Sequence, residues 1–513
     1  MAQSRTLLSI KNSVVALGFY LVNLMLQFYS RQVFFVELGT EVLGLNTTAT
    51  SLLQFLNLAE LGVGSAIGVT LYKPLLEKNY TAINEIVSLQ GWLYKRIAYF
   101  IIIGSAVLMC FFPWLFNKSE LPLWYAYTSY SVLLFSAILG YFVNYKQIVL
   151  SANQQEYFVR CSYNACMIIK VVTQIIAMKL FSNAYILWLV LEVVFAIIAS
   201  VALAAMVRKK CPYLKTNTTL GKELKTKYPD VLIKVKQMFF HKASRYALTQ
   251  TSPLIIYAYA TLTLVAIYGN YMLIVTGLTA LLTAMFDSMS SGVGNLVAEG
   301  NRGRIISVFR ELFSSRFLLV SVFSFCLFFL AAPFVDLWIG DGFNIDKVSL
   351  LFIVLIFYLN TSRSVVDSYI NAYGLFRDIW APVIEATINL SLSILLGYYY
   401  GLPGILAGVA ISLLLVVFCW KPFFLFKAGL KTPIKMYVLL YFKHMAAFIV
   451  SSIIVYYVLK LITIKPGDNY LSFVGYSVIM VTLLVSVEGG LLYSTEIGFR
   501  NFVSRIINVK RNK

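Results

Sequence analysis

Residues 184–210 read AYILWLVLEVVFAIIASVALAAMVRKK, and this stretch decides the class of the protein. Glu192 is the one charged residue before the run ends in Arg208, Lys209 and Lys210. A helix that crosses a bilayer needs about 20 apolar residues, because its backbone polar groups must be satisfied within the segment. Lys and Arg collect at the cytoplasmic ends of such helices. The stretch is therefore predicted to be a transmembrane helix that ends on the cytoplasmic side.

The rest of the chain has the same character. Of its 513 residues, 60% are hydrophobic and 12% are charged. A soluble domain is about half apolar and a quarter charged, so this composition excludes one. Apolar runs separated by polar breaks predict an all-α polytopic membrane protein with about 14 transmembrane helices. They lie near residues 13–36, 46–72, 94–114, 121–145, 158–180, 184–207, 246–267, 270–297, 315–338, 348–373, 380–400, 402–426, 437–459 and 470–494.

The basic residues predict the orientation of these helices. An even number of spans places both termini on one side, and about 33 of the 42 Lys and Arg residues then lie on that side, which the positive-inside rule makes cytoplasmic. The net charge of +20 is thus expected to attract anionic lipids at the cytoplasmic face rather than nucleic acid. A basic amphipathic tail is predicted on the membrane surface at residues 496–513.

A weak internal repeat predicts two halves. Thr50-Ser51-Leu52-Leu53 precedes Gly62-Val63-Gly64, and Thr279-Ala280-Leu281-Leu282 precedes Gly292-Val293-Gly294. Halves of six helices each would be parallel repeats around a central cavity. The predicted domains are a six-helix lobe, a basic cytoplasmic linker, a second six-helix lobe, two appended helices and the tail, at residues 1–207, 208–245, 246–427, 428–495 and 496–513.

Ionisable residues within the predicted spans are candidates for the functional site, because a charge in hydrocarbon is costly and must face protein or water. The clearest cases are Arg31, Glu60, Lys170, Glu192, Asp287, Arg363, Asp367, Glu385, Lys443 and Glu488. We expect three of them, Arg31, Lys170 and Arg363, to form a cationic substrate-binding cavity, because fixed cations bind phosphate.

The carboxylates have a separate expected role. Glu60, Asp287 and Asp367 are predicted to couple an ion or to line the same cavity. The alternative for each charge is a structural ion pair, which Arg363 and Asp367 suit because they are four residues apart on one helix. Lys443 and Glu488, on the appended helices, are expected to form a structural ion pair. Pro253 is expected to bend the seventh span.

Four segments carry a resemblance to a known family. They are Leu43-Gly44-Leu45 with Leu58-Ala59-Glu60-Leu61-Gly62-Val63-Gly64, then Ala266-Ile267-Tyr268-Gly269-Asn270-Tyr271, Ser291-Gly292-Val293-Gly294-Asn295-Leu296 and Val335-Asp336-Leu337-Trp338-Ile339-Gly340. With these segments the chain resembles the Wzx-type flippases of O-antigen and capsule pathways, within the MATE-like exporter superfamily. Glu60 stands where Asp is commoner in that family. Thr251-Ser252-Pro253 occupies a region where many members keep an Asp, so no carboxylate role transfers there.

The resemblance implies a function. Such a protein flips undecaprenyl-pyrophosphate-linked oligosaccharide across the bacterial inner membrane by alternating access, for surface polysaccharide export. It is a transporter and not an enzyme, with no cofactor and no metal, and some members couple to an ion gradient. The lipid-linked oligosaccharide would be its partner, together with the polysaccharide polymerase machinery, and we expect a monomer.

Two other functions remain open. A cation-coupled multidrug antiporter of the same superfamily would favour an acidic, aromatic cavity, which three inward-facing cations would oppose. A membrane-embedded glycosyltransferase or polymerase usually presents a large outer loop with acid-base groups, whereas every predicted outer loop here is short. No Walker sequence is present, so direct ATP hydrolysis is not supported.

Overall fold

The computed structural model describes residues 5–60, 62–153, 155–236, 239, 251–375, 378 and 380–511. Within these ranges the backbone alone is described for residues 5–14, 16–17, 58–59, 284–292, 295, 298 and 506–511. The chain divides into two compact units, residues 1–266 and 267–513, here called unit 1 and unit 2.

The main helices of unit 1 range from 7 to 34 residues in length. They are α1 (Arg5–Leu38), α2 (Thr40–Leu56), α3 (Val63–Leu76), α4 (Tyr80–Cys110), α5 (Leu123–Phe142), α6 (Glu156–Leu180), α7 (Ala184–Lys210), α8 (Gly221–Lys227) and α9 (Ser252–Tyr259).

The helices of unit 2 are longer on average. They are α10 (Leu262–Glu299), whose first turn belongs to unit 1, then α11 (Arg302–Trp338), α12 (Lys347–Ser362), α13 (Ser364–Ala372), α14 (Trp380–Leu430), α15 (Lys435–Leu459), α16 (Tyr470–Thr495) and α17 (Ile497–Arg511).

The predicted all-α polytopic architecture is confirmed. In the described part of the chain, ten helices are long and apolar enough to cross a membrane, and no strand occurs. One of the ten, α14, contains two of the predicted spans, which meet at Gly401 with a φ of 60°. Glycine adopts this left-handed backbone at no steric cost, so the two spans need no loop between them.

Several boundaries differ from the predicted ones. The third span begins at Tyr80 rather than near residue 94, because Asn79 caps the helix by accepting a hydrogen bond from the Ala82 N–H at 3.0 Å. Asn301 caps α11 in the same way through Arg304 N–H at 3.1 Å. In both cases the amphipathic stretch and the span form one continuous helix. Pro253 lies in the first turn of α9, where its missing N–H breaks no helical hydrogen bond.

The first part of the basic linker lies on the start of α4. Asn84 donates to the Tyr213 carbonyl at 3.1 Å and accepts from the Lys215 N–H at 2.9 Å. Further along, Lys227 lies 2.7 Å from Glu85. The residues that follow Lys236 lie mostly outside the described ranges.

The appended helices α15 and α16 pack on α11 around buried Phe325, Met480 and Leu484. Lys443 and Glu488 do not pair with each other as expected: Lys443 lies 3.9 Å from Glu496, and Glu488 accepts a hydrogen bond from Ser321 at 2.5 Å. The reason is helical phase, since Glu488 faces α11 within the apolar core.

The basic tail forms α17, which packs against α11 as well as presenting a polar face. Phe499 is buried, and Arg505 lies 2.9 Å from Glu311. The tail therefore packs on α11 through both apolar and charged contacts.

Candidate functional site

Glu60 lies where the second predicted span breaks. Helix α2 ends at Leu56, a 3₁₀ turn covers Asn57–Glu60, and α3 begins at Val63. Gly62 has a φ of 101°, a conformation that glycine adopts without strain. Non-helical backbone at membrane depth is tolerated where it faces protein or a water-filled cavity. The break thus places a carboxylate at a position where it has polar neighbours.

Two tyrosine hydroxyls contact the Glu60 carboxylate. Tyr94 donates to Oε1 at 2.9 Å, and the Tyr141 hydroxyl lies 3.0 Å from Oε2 and 3.1 Å from Asn57 Oδ1. Both tyrosines are buried and their rings meet edge to face. We call Glu60, Tyr94, Tyr141 and Asn57 the carboxylate site. Oxygen atoms grouped in this way suit a proton or a hard cation.

A cavity of about 430 Å³ lies beside the carboxylate site. Gln90 and Glu156 also line it, and of the described residues around it none is Lys or Arg. Glu156 itself accepts a hydrogen bond from Ser151 and lies 4.0 Å from Arg160. The cavity is therefore acidic, which favours positively charged occupants.

Arg31 lies within α1 and is half-buried. Its guanidinium donates to the carbonyl of Ala266 at 3.0 Å, near the buried side chains of Val33 and Phe34. A guanidinium that donates to a backbone carbonyl fixes the packing of two segments as well as carrying charge. This contact lies entirely within unit 1.

Lys170 forms an ion pair. Its Nζ lies 2.7 Å from Glu192 Oε1, and Gln174 donates to Glu192 Oε2 at 3.0 Å. The pair joins α6 to α7, and both charged side chains are largely buried. The charge of Lys170 is thus balanced locally by Glu192, the single carboxylate of the apolar stretch 184–210.

Arg363 belongs to an ion network in unit 2. Its Nε lies 2.7 Å from Asp367 Oδ2, while Lys421 Nζ lies 3.1 Å from Asp367 Oδ1. Glu385 is buried on α14 and acts electrostatically on Arg363. We call Arg363, Asp367, Lys421 and Glu385 the unit 2 ion network. Its two cations and two carboxylates give it no net charge. Asp367 is the most exposed of the three residues that form its ion pairs.

Sequence reasoning missed two cations. Lys421 lies near the end of the predicted span 402–426, and its side chain reaches Asp367. Arg316 is 3% exposed and donates to the carbonyls of Thr361 and Leu282 at 3.1 and 2.9 Å. Both lie at the edges of predicted spans, where a basic residue normally faces the aqueous interface. No local pattern distinguished them from interfacial residues.

The remaining predicted residue, Asp287, lies on α10, but its side chain is outside the described ones. Arg31 and Lys170 lie in unit 1, and Arg363 and Asp367 in unit 2. Among the predicted residues the structure joins Arg363 to Asp367, whereas Lys170 contacts Glu192. The shared cationic cavity of Arg31, Lys170 and Arg363 stays a prediction.

Similarity to known proteins appears in structure alone. No protein-family model and no curated protein matches the sequence. Among solved structures, the lipid II flippase MurJ in an inward closed conformation matches over 96% of this chain and 100% of its own, with a TM-score of 0.63 and 16% identity.

MATE transporters match as well. An inward-facing multidrug resistance transporter of the MOP superfamily matches over 82% of this chain and 99% of its own, with a TM-score of 0.56 and 12% identity. A mutant of the Vibrio cholerae transporter VcmN matches over 83% and 98%, with a TM-score of 0.55 and 15% identity. Such low identities define a fold and not a substrate. The chain therefore has the polytopic membrane fold shared by the MATE transporters and the flippase MurJ.

Proposed function

We propose that this protein flips lipid-linked oligosaccharide repeat units across the bacterial inner membrane by alternating access. The observation that carries the proposal is a wide aromatic groove in unit 2, of about 1670 Å³, between α11, α12, the second half of α14 and α15. Phe325, Phe329, Phe418, Tyr441 and Tyr456 are among its lining residues. We call it the aromatic groove.

The groove suits a polyprenyl tail. Phe442 and Tyr457 on α15 line it and are 66% and 63% exposed. Aromatic rings offer a large contact area with few rotatable bonds, so they bind an extended apolar chain at low entropic cost. A lipid-linked substrate needs such a path because its tail stays in the bilayer while its head crosses.

The appended helix α15 supports a flippase over a drug antiporter. It forms one wall of the groove and lies outside the two predicted six-helix lobes. The likeness to MurJ extends over 96% of the chain, while those to the MATE transporters extend over 82% and 83%. MurJ is a lipid II flippase by its description.

The cations would bind the pyrophosphate. In the unit 2 ion network Arg363 and Lys421 share one carboxylate, Asp367, and a diphosphate offers both of them several charged oxygens. We propose that the diphosphate takes the place of Asp367 as their partner. Arg31 and Lys170 stay proposed ligands of the substrate in unit 1. Glu60, Asp287 and Asp367 stay proposed ion-coupling groups.

The experiment compares two variants of α15 in a host strain that lacks the gene. Met445→Gln with Ile453→Gln changes the aromatic groove, while Ile449→Gln with Val450→Gln changes exposed residues that do not line it. Both add two amides to the same helix, so their effects on membrane insertion are matched. We expect the groove variant to lower surface polysaccharide about thirtyfold, because two lost apolar contacts of about 1 kcal/mol each weaken tail binding by about 2 kcal/mol. Repeat units should then be trapped on the inner leaflet.

Other outcomes would contradict the proposal. Equal surface polysaccharide in the deletion strain and the wild type would exclude repeat-unit flipping in that host. If deletion instead raised sensitivity to cationic drugs, the multidrug antiporter would become the better proposal, and the acidic cavity beside Glu60 would be its first candidate site.

A further inference from the structure

A second polar cavity lies at the end of unit 1 that carries the basic linker. Its volume is about 460 Å³, and it lies between α4, the turn that follows α5, α7 and the linker residues up to Thr218. We call it the basic pocket. Its charged lining residues are Lys95, Lys146 and Arg208, and of the described residues that line it none is Asp or Glu.

The three cations are not neutralised within the described part of the chain, where none of them forms an ion pair. Lys95 Nζ donates to Thr218 Oγ1 at 2.7 Å, which leaves its charge uncompensated. Neighbouring cations are engaged elsewhere: Arg96 stacks on the Trp92 ring at 3.8 Å, and Lys227 pairs with Glu85. The basic pocket therefore concentrates positive charge in a concave surface, where it attracts anions more strongly than scattered surface lysines do.

The lining changes from apolar to cationic along two walls of the pocket, one on α7 and one at the end of α5 and the turn that follows it. On α7, Leu203, Ala204 and Val207 precede Arg208, and on the other wall Phe142 and Val143 precede Lys146. A soluble anion has no need of the apolar part. A phospholipid at the interface matches both parts, with its first acyl carbons against the apolar side chains and its phosphate against the cations.

One buried polar atom points to the kind of headgroup. Asn144 lines the pocket and is 5% exposed, and its Oδ1 has no hydrogen-bond partner among the described residues. Leaving a buried acceptor unpaired costs free energy, so the atom suits a ligand that donates a hydrogen bond. A phosphoglycerol headgroup carries hydroxyl donors next to its anionic phosphate.

We propose that the basic pocket binds the phosphoglycerol headgroup of an anionic phospholipid from the leaflet that the basic residues predict to be cytoplasmic. The phosphate contacts Lys95, Lys146 and Arg208, and a glycerol hydroxyl donates to Asn144. The lipid thereby joins the end of α7 to the linker. This binding is separate from the transported substrate and does not depend on the proposed flipping activity.

Native mass spectrometry of the purified full-length protein, titrated with phosphatidylglycerol or phosphatidylcholine, tests the site. Arg208→Gln and Lys146→Gln are each expected to weaken phosphatidylglycerol binding about fivefold. Lys209→Gln is the matched control, because Lys209 is next to Arg208 and does not line the pocket. Ala204→Phe fills the pocket without changing the charge and is expected to remove the tightest binding step.

The results separate three cases. Preference for phosphatidylglycerol that falls with Arg208→Gln but not with Lys209→Gln supports the proposal, even if Ala204→Phe fails to fold. Equal losses for Arg208→Gln and Lys209→Gln would mean diffuse attraction and overturn it. Displacement of the lipid by an equal concentration of glycerol phosphate would identify a soluble phosphate as the ligand and overturn the lipid assignment.

Discussion

At the scale of single residues, the buried charges in the described part of the chain differ in their partners. Lys170 has a carboxylate partner in Glu192, and Arg363 shares Asp367 with Lys421. Glu60 is held by hydroxyl groups instead, beside an acidic cavity. A carboxylate with hydroxyl partners gains or loses a proton or a cation with little rearrangement of its surroundings. A buried ion pair must be broken first, which is costly.

Glu60 is therefore the residue that we expect to couple transport to an ion. Glu60→Gln keeps the shape and one acceptor but removes the charge, so transport in proteoliposomes should lose its response to an imposed proton or sodium gradient. Glu120→Gln, at an exposed position, is the control and should respond as the wild type does. A Glu60→Gln variant with an unchanged gradient response would remove this residue from the coupling mechanism.

Lys170 allows a test between a structural role and a substrate role. Lys170→Met leaves Glu192 buried without its cation and should lower the free energy of unfolding by about 3–5 kcal/mol. Adding Glu192→Leu removes the stranded charge and should restore most of that stability, as thermal denaturation in detergent would measure. Transport by the stable double variant then decides the role: normal flipping would show that Lys170 does not bind substrate.

At the scale of helices, close packing depends on a few glycines. A Cβ placed on Gly44 of α2 would collide with the backbone carbonyl of Leu262, and one on Gly408 would collide with the backbone at Ser393 within α14. Small residues let membrane helices approach at backbone distance, and this contact supplies van der Waals energy that lipid cannot match. Gly140 on α5, by contrast, has open space around it.

Gly44→Ala should therefore destabilise unit 1, whereas Gly140→Ala should not. A backbone carbonyl cannot move aside as a flexible side chain does, so we expect a loss of about 1–3 kcal/mol for Gly44→Ala. Gly140→Ala should be neutral or slightly stabilising, because alanine favours a helix by about 1 kcal/mol over glycine. Thermal unfolding of the two variants in the same detergent measures the difference, and equal midpoints would contradict the close approach of α2 to Leu262.

At the scale of the whole molecule, the distribution of charge predicts how the chain is inserted. The net charge of +20 is concentrated in certain segments of the chain. An even number of spans would place these segments on the same side of the membrane as both termini. The linker residues Asn217 and Lys227 are predicted to lie on the same side as the termini, and Asn117 is predicted to lie in an outer loop. Orientation is a property of the chain in a bilayer and has to be measured there.

Cysteine labelling measures it in intact cells. In a version without the six native cysteines, Asn117→Cys should react with a membrane-impermeant maleimide from outside. Asn217→Cys should react only after the cells are permeabilised. The reverse pattern would place both termini outside and would move the basic pocket to the other leaflet.

Much of the architecture followed from sequence because hydrocarbon imposes a simple rule. Each crossing must be a long apolar helix, so the positions of most spans, the all-α class and the intramembrane charges could be predicted from residues such as the stretch 184–210. The pairing of Arg363 with Asp367 was one of two interpretations that the sequence allowed, because a spacing of four residues places both on one helix face.

Other features depended on tertiary contacts. One of them is the break at Asn57–Glu60. The hydrogen bonds from Tyr94 and Tyr141 to Glu60 and the ion pair of Lys421 with Asp367 join residues that are distant in the chain. The aromatic groove and the basic pocket likewise exist only where several helices meet. Hydropathy is a property of one segment and predicts whether that segment enters the membrane. Which side chains meet inside is decided by helix packing, whose van der Waals and hydrogen-bond contacts leave no periodic signal in the sequence.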